Sequence, residues 1–165
     1  RMEMVRLAVA QTGFSSCDIE VVREGTTYTV DTLRTLRARY PQAEFFYIIG
    51  TDTLYQLPSW RCFAQVKELT QFAVVSRVGE DVAHAHAFAK SIGIRAAFIE
   101  IDAPPISSTD VRLRIQRAQS IDGLLPESVC MYIYETGQYA PSAHIMEQLR
   151  RALPVRRFRW RRAMA

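Results

Sequence analysis

Several familiar routes to a function are closed by what this 165-residue chain lacks. No apolar run reaches the roughly 18 residues that cross a membrane, and residues 1–15 lack the basic-then-apolar order of a secretion signal. A cytoplasmic protein without a membrane partner is expected. Its three cysteines, Cys17, Cys62 and Cys130, are odd in number, widely spaced and free of any C-x-x-C pair. That pattern argues against both a disulfide framework and a zinc site, and predicts reduced thiols with Cys62 and Cys130 buried. Neither G-x-x-x-x-G-K-[ST] nor G-x-G-x-x-G occurs, so the P-loop and the dinucleotide fingerprint lose their main support. The only close histidine pair, His84-Ala-His86, is offset by two residues. On a helix that separates the rings by about 200°, so one helix cannot present both to a metal, and no metal site is expected.

What is present suits one globular domain: 48% apolar and 23% charged residues. The net charge of +4 is unevenly spread. Residues 1–149 carry 14 Lys and Arg against 17 Asp and Glu, a balance of −3, whereas residues 150–165 carry seven Arg and no acid, a balance of +7. Residues 140–165 therefore read as a basic tail, helical or disordered. Phe158 and Trp160 interleave its arginines, a pattern able to meet nucleic acid but more often simply solvated. At the other end Arg1 is not an initiator, and Met2–Ala10 reads as the middle of an amphipathic helix, so the chain is expected to begin inside a longer protein.

Strand and helix signals alternate in between. Helices are expected at residues 2–11, at Thr29–Tyr40 with Val30, Leu33 and Leu36 on one face, at Trp60–Leu69, at Asp81–Ile92, from Ser107 onward and at Pro126–Thr136, with Gly137 as the stop. A short helical turn is expected at Thr53–Leu57, stopped by Pro58. Strands are expected at Cys17–Val22, Glu44–Ile49, Gln71–Ser76 and Arg95–Ile101. Glu44–Ile49 is apolar at nearly every position, which suits a parallel strand covered on both faces. The order implies an α/β fold, a mostly parallel sheet with helices on both faces.

Ligands in such sheets bind beyond the carboxyl ends of the strands. Three turns qualify. Gly25–Thr29 precedes a helix. Gly50-Thr51-Asp52 follows a strand, with Gly50 allowing close approach and Asp52 either accepting hydrogen bonds from a ligand or capping a helix. Ile106-Ser-Ser-Thr-Asp-Val-Arg112 follows a strand and two prolines. There Ser107, Ser108 and Thr109 are candidate caps, and Arg112 would stand beside the open N–H groups of a helix start, an arrangement that suits phosphate or serves only as a cap.

Three stretches together resemble the bacterial nicotinate-mononucleotide adenylyltransferases of the nucleotidyltransferase α/β superfamily. They are Asp18–Leu33 with its Tyr28-Thr-Val-Asp-Thr-Leu core, Tyr47-Ile-Ile-Gly-Thr-Asp52 with Leu57-Pro-Ser-Trp60, and Ile106–Arg112. The likeness runs from Met2 to about Tyr139 and implies a Rossmann-like nucleotidyltransferase domain over residues 1–139 whose first βα unit is missing. The resemblance implies adenylyl transfer from ATP to nicotinate mononucleotide, giving deamido-NAD and pyrophosphate, with Mg²⁺. Thr29 and the turn before it would lie against the nicotinate ring, Trp60 would stack on it, and the Gln56 backbone would help hold its carboxylate. Gly50 and Asp52 would approach the ATP nucleoside, and Ser108, Thr109 and Arg112 the adenine edge and phosphates. The family's Gly-x-Phe-x-Pro-x-His-x-Gly-His cradle has no counterpart here, so no catalytic residue is assigned within this chain. A non-catalytic nucleotide-binding remnant, and a nucleic-acid-binding module acting through the Arg-rich tail, are the competing readings. ATP and nicotinate mononucleotide are the expected partners, nucleic acid is not, and a homo-oligomer is left open.

Overall fold

In the computed structural model, residues 1–102, 104 and 106–140 are described, and the basic tail lies outside them from residue 141 onward. The chain forms two compact units, one of Asp18–Pro104 and one of Arg1–Cys17 with Pro105–Ala165.

The first of these holds the sheet. The chain's first helix, α1 (Met2–Val9), belongs to the other unit; the elements of the sheet unit in chain order are α2 (Thr29–Arg39), β1 (Phe46–Gly50), α3 (Thr51–Gln56), a 3₁₀ turn (Leu57–Ser59), α4 (Phe63–Leu69), β2 (Gln71–Arg77), α5 (Val82–Ser91) and β3 (Ala96–Ile101). The three strands are parallel in the order β1-β2-β3, with Ile49 opposite Val74 and Val74 opposite Phe98. Because side chains alternate across a strand, one register puts Tyr47, Ile49, Phe72, Val74 and Phe98 on the same face. That face packs on Val30 and Leu33 of α2, Leu54 of α3, Leu57, Val66 of α4, and Ala85 and Ala89 of α5. The opposite face carries Phe46, Ile48 and Ile99, exposed at 53%, 72% and 47%. Arg37 ties the helix ends to this layer, donating to the carbonyls of Ala43 at 2.7 Å and Leu69 at 2.8 Å.

The second unit is helical among its described residues: α1, α6 (Ser108–Gln116) and α7 (Glu127–Thr136). Val111, Ile115, Ile121, Val129, Cys130 and Ile133 form its core, with Met4, Leu7 and Ala8 of α1 packed against them. The Ser128 hydroxyl donates to the Leu7 carbonyl at 3.2 Å, joining α7 to α1. The Tyr134 hydroxyl accepts from the Ile121 N–H and donates to Asp122, fixing the loop before α7. Gly137 ends α7 at φ 65°, a left-handed position that glycine takes without Cβ strain.

Four expectations are corrected. Cys17–Val22 is no strand: the Asp18 carbonyl collects the N–H groups of Val21 and Val22, closing a turn, and both valines are largely exposed with no neighbouring strand. The helix expected from Trp60 starts at Phe63, because Cys62 takes the left-handed conformation at φ 54° and breaks the repeat. That position is on the surface, so Cys62 is exposed while Cys130 is buried as expected. Pro58 does not stop the preceding helix but sits inside the 3₁₀ turn that extends it, at a position where no N–H is required.

Candidate functional site

Chemistry-bearing residues gather at three places. The first is a cavity of about 250 Å³ lined by Thr27, Tyr28, Thr29, Trp60 and Arg61. Two chain segments meet there because Thr27–Thr29 lead into α2 while Leu57–Ser59 bring Trp60 to the same spot. Trp60 is extended at φ −69°, ψ 142°, its N–H held by the Leu57 carbonyl at 3.0 Å. Its ring is half-buried and meets Tyr47 edge-to-face, centroids 5.5 Å apart at 77°. The Tyr47 hydroxyl, behind these lining residues, lies 3.5 Å from the Thr29 hydroxyl. The Arg61 guanidinium lies over the Tyr28 ring, 4.3 Å from its centre. Hydrogen bonding and charge from Tyr28 push that guanidinium above its ordinary value, so it stays charged.

The predicted pair Thr29 and Trp60 is thus brought together. Gln56 is not among the residues lining this cavity. It ends α3, and its carbonyl accepts from the Ser59 hydroxyl at 2.7 Å. A carbonyl has no proton to offer a carboxylate, so only an N–H could serve the role the resemblance implies for that backbone.

The second place is the carboxyl end of β1. Gly50 is the N-cap of α3, and a Cβ on it would stand 2.7 Å from the Asp52 carboxylate oxygen. Asp52 is therefore folded back over a bare backbone position, and its carboxylate makes no capping bond. Of the two roles left open for Asp52, the cap belongs to Gly50 instead. Nearby, the Thr51 hydroxyl donates to Glu80, and at the carboxyl end of β2 the Ser76 hydroxyl is buried with no partner among the described residues. Neither feature stood out in the sequence, since isolated Ser and Thr carry no periodic signal.

The start of α6 is the third place. Ser107, not Ser108, is the N-cap, and it forms a capping box with Asp110. The Asp110 N–H donates to the Ser107 hydroxyl at 3.0 Å, while the Ser107 N–H and hydroxyl both donate to the Asp110 carboxylate. Ser108 and Thr109 occupy the first two helical positions, whose N–H groups have no earlier turn to accept from them. Arg112 stands one turn later, not in the first turn, and reaches back to the Thr109 hydroxyl at 3.3 Å. The predicted trio therefore forms one group. Arg114 lines a cavity with Ile106, Asp110, Leu113, Arg117 and Leu124, to which Ser108, Thr109 and Arg112 do not contribute.

His84 and His86 are divided as their spacing predicts. His84 Nδ1 lies 2.9 Å from the Tyr55 hydroxyl, whereas the His86 ring stacks on Phe98 at 3.7 Å. Among the described residues no group of three or more His, Cys, Asp or Glu can hold a metal ion, and no helix is long and apolar enough to cross a membrane. Burial raises the thiol of Cys130 and the hydroxyl of Tyr134 above their ordinary values.

Residues 1–114 match the family model for cytidylyltransferase-like proteins. Among curated relatives, a probable nicotinate-nucleotide adenylyltransferase of Desulfitobacterium hafniense (strain DSM 10664 / DCB-2) is 38% identical over 147 residues, covering 84% of this chain and 70% of that protein. One from Geobacillus thermodenitrificans (strain NG80-2) is 36% identical over 164 residues, covering 98% and 72%. The chain belongs to the nicotinate-nucleotide adenylyltransferases, a branch of that cytidylyltransferase-like group. In fold it resembles the Plasmodium falciparum nicotinic acid mononucleotide adenylyltransferase complexed with APC and the same enzyme complexed with NaAD, each at TM-score 0.56 and 20% identity. These alignments cover 70% of this chain and 60% and 58% of those chains, and they identify the nucleotidyltransferase α/β fold.

Proposed function

We propose that this protein transfers the adenylyl group of ATP to nicotinate mononucleotide, giving deamido-NAD and pyrophosphate in NAD biosynthesis. The observation that carries the reading is the cavity of Thr27, Tyr28, Thr29, Trp60 and Arg61. It offers aromatic walls and a cation to a flat, negatively charged ring, in a chain of the adenylyltransferase family. Trp60 stacks on the pyridine ring and Thr29 borders it. Gly50 and Asp52 meet the ATP nucleoside, the bare glycine allowing close approach. Ser108, Thr109 and Arg112 bind the adenine edge and phosphates through a helix start and a guanidinium. Residues 1–139 act as one nucleotidyltransferase domain in this reading, and the protein works in the cytoplasm.

In the reaction a 5′-phosphate oxygen of the mononucleotide attacks the α-phosphorus of ATP in line, and the bond from that phosphorus to pyrophosphate breaks. Mg²⁺ would enter with ATP, carried by its phosphate oxygens and by water, and would neutralise charge on the reacting phosphates. The chain's residues align the two phosphates and hold their charge, which is the main demand of phosphoryl-type transfer. The test is an assay of the natural full-length protein with ATP, Mg²⁺ and each pyridine mononucleotide, following dinucleotide and pyrophosphate. Deamido-NAD formed faster than NAD supports the reading. Equal rates remove the nicotinate assignment, and no product with either removes the activity.

A further inference from the structure

Arg61 is the one charged residue lining the Trp60 cavity, and its position there is built rather than incidental. Trp60 is extended and Cys62 left-handed, and the Phe63 N–H donates back to the Trp60 carbonyl at 3.1 Å. This closes a turn with Arg61 at its corner and aims consecutive side chains at one cavity. The guanidinium is then parked on the Tyr28 ring, 4.3 Å from its centre, which restricts a side chain that would otherwise sample many rotamers. The charge is also left without a carboxylate. Only Arg6–Glu3 and Arg34–Asp31 form ion pairs among the described residues, and Asp31, the acid nearest in influence on Arg61, is held by Arg34 at 3.0 Å. A cavity with aromatic walls, two threonines and one uncompensated cation favours a ring that carries an anion over the same ring carrying a neutral amide.

We propose that the Arg61 side chain is a specificity-determining residue, pairing with the carboxylate of the nicotinate ring and so discriminating against nicotinamide. This rests on the functional reading above, but it assigns the discrimination to a side chain and not to backbone N–H groups alone. Because Arg61 is exposed, water and salt weaken the pair, so the effect falls at the lower end of charge-assisted hydrogen bonding. About tenfold is expected.

The experiment compares unaltered full-length protein with Arg61→Ala and Arg61→Lys, measuring kcat and KM for both mononucleotides at two salt concentrations. Arg61→Ala should raise KM for nicotinate mononucleotide about tenfold, leave kcat nearly unchanged and alter nicotinamide mononucleotide by less than about twofold. Arg61→Lys should fall between, since it keeps the charge and loses the planar fork. Added salt should shrink the acid preference of the unaltered protein and leave that of Arg61→Ala as it is. Equal loss with both substrates, or an undiminished acid preference in Arg61→Ala, overturns the proposal. If the unaltered protein makes no dinucleotide from either mononucleotide, the functional reading fails by itself. Titration of the two mononucleotides against Trp60 fluorescence then decides Arg61: a preference for the acid form that Arg61→Ala abolishes supports it, and its absence in the unaltered protein overturns it.

Discussion

The Trp60 cavity and the start of α6 solve the problem of meeting a ligand in opposite ways. At the cavity, Trp60 is braced edge-to-face by Tyr47, Arg61 lies on the Tyr28 ring, and that single cation has no acid partner among the described residues. At α6 the polar groups close on themselves, Ser107 and Asp110 exchanging three hydrogen bonds. The first place has unused capacity to recognise a charged ring. In the second, a carboxylate already sits near the positive end of the helix dipole, leaving the Ser108 and Thr109 N–H groups and Arg112 to meet an anion. Similar sequence cues, short polar motifs beside a helix, therefore lead to unlike sites.

The contrast can be broken most severely from beneath. Leu57 is fully buried in the 3₁₀ turn that delivers Trp60. Leu57→Ala should cost about 2–5 kcal/mol of folding stability, through lost burial and the cavity left behind. Chemical denaturation measures it; a loss below about 1 kcal/mol would mean that the turn is not anchored by this side chain.

Arg112 and Arg114 test the α6 end. Arg112→Ala in the full-length protein should weaken ATP use by about 1.5–3 kcal/mol, the range for hydrogen bonds to charged groups. Arg114→Ala should do less, because its side chain lines a cavity to which Ser108, Thr109 and Arg112 do not contribute. Equal small effects in steady-state kinetics would reduce Ser108, Thr109 and Arg112 to parts of a helix cap.

Trp60 itself is ambiguous between ligand and core, since it is half-buried and packs against the sheet core. Stacking predicts a loss of about 1–3 kcal/mol in mononucleotide affinity for Trp60→Ala, with the unliganded melting temperature falling by less than in Leu57→Ala. Trp160 is the only other tryptophan of these 165 residues, so a Trp160→Phe background removes its signal from the Trp60 fluorescence. Unchanged affinity with a collapsed melting temperature would end the stacking role.

Much of this was legible because periodicity survives folding. Glu44–Ile49, Gln71–Ser76 and Arg95–Ile101 become β1 to β3 within a residue or two, and the helices at Thr29, Asp81 and Ser107 begin where caps and apolar faces predicted. The failures share a cause. Cys17, Ile19 and Val21 alternate with Asp18 and Glu20 like a strand and Val22 adds a second β-branched residue, but a strand needs a neighbour, which one chain segment cannot specify. Cys62 looked like the interior of an amphipathic helix because its left-handed φ is set by closure of the Trp60–Phe63 turn, not by its own preference. Arg61 was hidden for the same reason. Read as a helix residue it would face solvent, whereas the actual turn sets it on Tyr28.

The smallest effect decides whether the α6 cap is only a cap. Ser107→Ala removes the hydroxyl that accepts from the Asp110 N–H and donates to its carboxylate, and should cost about 1 kcal/mol of stability, as helix N-caps do. The Ser107 hydroxyl makes both of its bonds within the capping box, so ATP affinity should stay within about twofold. Asp110→Asn sharpens the same point from the other side: it keeps the size and an acceptor but withdraws a negative charge from the helix start. A phosphate bound by Ser108, Thr109 and Arg112 should then be held slightly more tightly, by the roughly 0.3–1 kcal/mol that a charge near a helix end is worth. Calorimetric titration with ATP and a melting curve for each variant read the two effects separately. If Ser107→Ala weakens ATP as much as Arg112→Ala while its melting temperature stays put, the hydroxyl is a ligand and the self-contained cap does not exist.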